Sequence, residues 1–99
     1  MLKTFRSYQL ALQFFARVQH TQGMPFLRDQ LLRAAGSVAL NLAEGYGRLT
    51  PADRRRHFTI ALGSLRECQA ALAMLGQSDP GLLDLADHLG GCLYKLSRS

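Results

Sequence analysis

Four arginines and one tyrosine crowd a short stretch of the chain: Tyr46, Arg48, Arg54, Arg55 and Arg56. Guanidinium groups grip phosphate or carboxylate in a bidentate fork. Three of these arginines fall in what reads as the first turns of a helix starting at Pro51, where cations oppose the helix dipole. An anion held beside the free N–H groups of that helix end would account for them. Tyr46 offers a ring on which an unpaired base could stack. The alternative is a solvated charge cluster with Tyr46 packed as a cap on the fold. Further bases, Lys3, Arg6 and Arg17, lie on the first helix as secondary candidates.

A second constellation is internal. Arg33, Ser37, Asn41 and Glu44 follow steps of four, four and three, which places them in one stripe along a helix. Glu67 falls on another helix, and with Glu44 it could form a carboxylate pair for acid–base work. A structural polar network is the better reading, because a carboxylate stranded on a buried face is expensive. Ser64, His57 and Glu67 could be assembled into a nucleophile, but His57 lies two turns from Ser64, beyond hydrogen-bond reach along one helix. No strained nucleophile turn or phosphate-cradling glycine loop accompanies them. These residues predict no catalytic site, no metal and no cofactor. His88 and Cys92 share a helix face but lack the further ligands a metal needs.

The elements that must position these groups are helical. Apolar residues recur at helical spacing through four segments, about 7–20, 26–44, 51–75 and 80–97. On the first helix, Tyr8, Ala11, Leu12, Phe15 and Val18 are expected to face the core, leaving Leu10 and Phe14 on nearly the opposite side. On the second, Leu27, Leu31, Ala34 or Ala35, Val38 and Leu42 make the core stripe, and Gly45 and Gly47 are expected to end the helix. Thr50 is expected to cap the third, whose face is Phe58, Ala61, Leu62, Leu65, Cys68, Leu72 and Leu75. Its other side carries Ile60, Gly63, Glu67, Ala70 and Met74. Gly36-Ser37 and Gly63-Ser64, both mid-helix, suggest a close approach of the second and third helices. Gly90-Gly91 weakens the fourth.

Short connections make neighbouring helices antiparallel. The fold class is therefore all-α, an up-down antiparallel four-helix bundle in a single domain, residues 1–99. Second apolar faces on two helices predict burial against further copies of the chain.

The runs Ser37–Arg48 and Phe58–Glu67 resemble the signature stretches of the four-helix-bundle family encoded by intervening sequences in bacterial 23S ribosomal RNA genes. The accessory proteins of diversity-generating retroelements are similar to the same family. The resemblance is strong from about Tyr8 to Leu75 and weaker through Leu96, and it departs at Ala39, where the family usually carries proline. It implies a bundle assembled as a ring-shaped homopentamer, and it places Tyr46 in a structural signature.

Charge bears on partners. Residues 1–66 carry ten Lys/Arg against three Asp/Glu, or +7, whereas residues 67–99 carry two against four, or −2. That asymmetry points to an acidic partner, RNA or DNA first and an acidic protein second. No apolar run approaches the ~18 residues that span a bilayer. The basic start reads as a helix, not a signal peptide. Two cysteines without metal spacing suit a reducing compartment, the cytoplasm. The expected function is a non-enzymatic oligomer that binds nucleic acid mainly through phosphates, or alternatively an oligomeric protein-interaction scaffold.

Overall fold

The computed structural model describes residues 1–99. After a short 3₁₀ turn, Leu2–Thr4, come α1 (Arg6–Val18), α2 (Pro25–Gly47), α3 (Pro51–Met74) and α4 (Pro80–Arg98). Each of the last three begins on a proline, whose missing N–H would have no helical acceptor there anyway. Thr50 caps α3 by accepting a hydrogen bond from the Asp53 amide at 3.1 Å, and Asp79 caps α4 by accepting from Gly81 at 3.1 Å. At the end of α3, Gly76 adopts a φ of 72°. Its amide bonds the carbonyl of Ala73 and that of Gln77 bonds the carbonyl of Leu72, a Schellman closure.

The helices form a four-helix bundle, each packed on the next and α1 also on α4. The molecule measures 40 × 22 × 19 Å. Phe14, Leu31, Val38, Leu42, Leu65, Leu72, Leu89 and Leu93 are fully enclosed at its centre. The expected core faces of α2 and α3 hold, except that Leu27, Leu62 and Leu75 are only partly covered. No helix is long and apolar enough to cross a membrane.

Three expectations need correction. On α1 the core face is Ser7, Leu10, Ala11, Phe14 and Val18. Leu12 is exposed, and Tyr8 and Phe15 are half-buried. Both candidate faces share Ala11 and keep helical spacing, so periodicity alone does not separate them. The outward apolar surface exists, but Tyr8, Leu12 and Phe15 supply it. With Ala39, Leu40 and Ala43 of α2 they line a groove of about 280 Å³.

The second correction concerns Gly45. It does not end α2, which runs on to Gly47 without any positive φ. Gly45 is buried beneath the ring of Phe58, and a Cβ there would stand 2.6 Å from that ring. Close packing, not a left-handed turn, requires glycine. The third concerns the mid-helix glycines. Gly36 sits near Phe15 and Gly63 faces open space, so the serines beside them make the α2–α3 approach. In α4 the helix continues unbroken through Gly90, where a Cβ would lie 3.2 Å from the Arg66 guanidinium and 3.4 Å from Leu65.

Candidate nucleic-acid interface

Where α2 crosses α3, four polar side chains close on one another. Ser37 Oγ and Ser64 Oγ are 2.8 Å apart. Asn41 Nδ2 donates to both the carbonyl and the hydroxyl of Ser37, at 3.0 and 3.1 Å. Its Oδ1 therefore faces His57 Nδ1 at 3.2 Å, and that nitrogen is the donor. His57 Nε2 is left to accept from Arg56 Nη2, also at 3.2 Å. Both ring nitrogens of the buried His57 are thereby occupied, and Ser64 meets a serine, not the imidazole. The junction satisfies groups that would otherwise be stranded between packed helices.

Only part of the expected network is built. Ser37 and Asn41 belong to it, joined by His57 and Ser64. Glu44 instead lies on the surface, paired with Arg48 one turn later. Arg33 and Glu67 are exposed and have no ion-pair partner within the chain. The carboxylates thus do not lie on a buried face of the single chain. His57 could have been added from sequence. It is seven residues before Ser64, on the same face of α3, and so opposes Asn41 when the two serines meet.

The arginines at the start of α3 divide into two kinds. Arg48 bonds Glu44 at 3.1 Å and lies 3.9 Å from Asp53, while Arg56 pairs with Asp53 at 3.3 Å. Arg54 and Arg55 have no carboxylate side chain within ion-pair distance. Arg54 Nε donates to the Arg48 carbonyl at 2.8 Å, and Arg55 Nη1 donates at 3.0 Å to a main-chain oxygen of Ser99, the last residue, where it is a carboxylate oxygen. The charge of Arg54 is thereby positioned but not neutralised, whereas Arg55 is already engaged by Ser99. Of the secondary candidates, Arg17 is engaged with Asp79, whereas Lys3 and Arg6 flank Phe5 beside this cluster.

Tyr46 stands at the same end of the bundle. Its ring centroid is 5.1 Å from that of Phe5, which in turn lies 6.1 Å from Phe58. Tyr46 is nonetheless 39% exposed, so it packs on the fold and keeps ring surface free. Sequence reasoning misses Phe5 as part of this region. The only signal for it is an aromatic residue between the basic positions Lys3 and Arg6.

A profile of the 23S rRNA-intervening sequence protein family matches residues 3–81. With its four-helix bundle, the chain belongs to that family. Comparison with curated proteins and with solved structures gives no match. At Ala39, where the resemblance departs from proline, α2 runs through without interruption.

Proposed function

We propose that this chain is a non-enzymatic, homo-oligomeric nucleic-acid-binding protein of the cytoplasm, contacting RNA or DNA mainly through phosphates. Its helices run up-down and antiparallel, and its copies close into a ring, five being the number that the family resemblance implies. The observation that carries the binding reading is Arg54, pre-positioned by a main-chain carbonyl without a carboxylate to neutralise it. Buried or neutralised arginines would serve the fold, whereas this one is available to an anion. Two exposed apolar surfaces support assembly: the α1–α2 groove around Leu12 and Leu40, and the outer side of α3 with Ile60 and Met74. A ring would repeat one modest basic patch into a multivalent surface.

Affinity for RNA and DNA should fall steeply with salt, with a log–log slope of about −0.7 to −0.9 per phosphate contact. Replacing Arg54 with Ala should flatten that slope by roughly one contact's worth. Replacing Arg48 and Arg56 should change it much less. No binding at ~50 mM salt, where such contacts are strongest, overturns this reading in favour of the scaffold. Light scattering should return a multiple of the 11.0 kDa chain mass.

A further inference from the structure

At the arginine end two hollows share a wall. One, of about 430 Å³, is bounded by Phe5, Tyr46, Phe58, Leu96 and Arg54, so four of its five sides are aromatic or aliphatic. The other, of about 170 Å³, is bounded by Arg54, Arg55, Phe58, Leu96, Pro51 and Ser99. Arg54, Phe58 and Leu96 belong to both. An apolar recess walled by rings therefore adjoins a cationic one, across a single guanidinium.

We propose that this paired recess seats one unpaired nucleotide. The base lies in the larger hollow against Tyr46, and its phosphate lies at Arg54. This rests on the phosphate-binding reading above and adds that the protein selects single strands whose bases can leave the stack. Three observations support it. Tyr46 stays well exposed although its ring touches Phe5, so a ring surface remains for a base. The hollow is floored by Phe58 and Phe5, which are held by packing and present a fixed apolar lining. The guanidinium of Arg54 is anchored through Nε, and Arg54 lines both hollows. A duplex offers the same phosphates but no free base face, so it uses the cationic recess alone. Stacking on an aromatic ring is tolerant of sequence because every base has a π face.

The test compares two single strands of equal charge, oligothymidylate of about 12 nucleotides and an abasic strand of the same length. Binding is read by fluorescence anisotropy at ~50 mM salt, where phosphate contacts are retained. The base-bearing strand should bind about tenfold more tightly, within the range that stacking supplies. Tyr46→Leu should bring it down to the abasic level without weakening the abasic strand, and Tyr46→Phe should restore the difference. Equal affinity of the unaltered protein for both strands overturns the nucleotide recess while leaving phosphate binding intact. Absence of binding to either strand overturns the phosphate reading and this one with it.

Discussion

At the α2–α3 crossing, Ser37, Asn41, Ser64 and His57 bond one another, and the second nitrogen of His57 accepts from Arg56. At the end of the bundle, Arg54 is held by a main-chain carbonyl but keeps its charge free. The crossing resembles a site by composition, with serine, histidine and asparagine together, yet its imidazole is occupied on both sides and neither serine meets it. The arginine end has the composition of an ordinary basic surface, yet Arg54 lacks the acid that would explain it. Residue type does not separate structural from functional polar groups here; partnership does. Arg56 touches both regions through His57 and Asp53, which marks where one gives way to the other.

The contrast can be tested by asking which groups the fold depends on. The largest expected effect concerns access to the interior. Burial, with a smaller push from the negative charge of Glu67, raises the Cys68 thiol from 9.0 to about 12. At about pH 8, alkylation of Cys68 should be on the order of a thousandfold slower than that of the half-buried Cys92, requiring an opening of the bundle. Mass spectrometry of timed samples would show it, and similar rates for both would mean the interior is not sealed. The unfolded thiol ionises first, so this group's contribution to stability is complete below pH 9 and is lost as pH rises towards 12. A fall in melting temperature over that window is the expected sign.

Next in size is Phe58→Ala. The ring fills the space above Gly45, so its removal should cost about 3–5 kcal/mol in urea unfolding. A loss near zero would mean that the arginine end is not anchored in the core. Asn41→Ala leaves His57 Nδ1 and Ser37 without their partner between packed helices, and should cost about 1–3 kcal/mol. Smallest is the paired change Arg54→Ala with Arg55→Ala, which should alter stability by no more than about 0.5 kcal/mol. If it matched the Asn41 change, the two regions would be alike and both arginines would be structural.

Much of this organisation is legible in the sequence. Pro25, Pro51 and Pro80 mark helix starts, Thr50 and Asp79 mark caps, and the core face of α3 follows from spacing. Local chemistry decides such features, so local sequence reveals them. The face of α1 is not legible, because Leu10–Phe14 and Leu12–Phe15 both satisfy helical spacing and only the packed neighbours choose between them. The role of Gly45 depends on Phe58, a residue on another helix. Likewise the sequence shows a cluster of arginines but not its division, since Glu44, Asp53 and two main-chain oxygens have first to be placed in space. Arg33 shares a stripe with Ser37 and Asn41, yet neither it nor Glu67 on α3 finds an ion-pair partner in one chain.

The Nε tether of Arg54 bears on more than position. A long side chain immobilised at a contact ordinarily loses roughly 0.5–1.5 kcal/mol of rotamer freedom. Here much of that freedom is already gone before an anion arrives, because the carbonyl at the close of α2 holds the guanidinium plane in place. Such preorganisation favours acceptors that match a fixed fork, two oxygens side by side, over compact ions that need only charge. Discrimination between a phosphate group and chloride at this end of the bundle then rests on shape as well as on electrostatics.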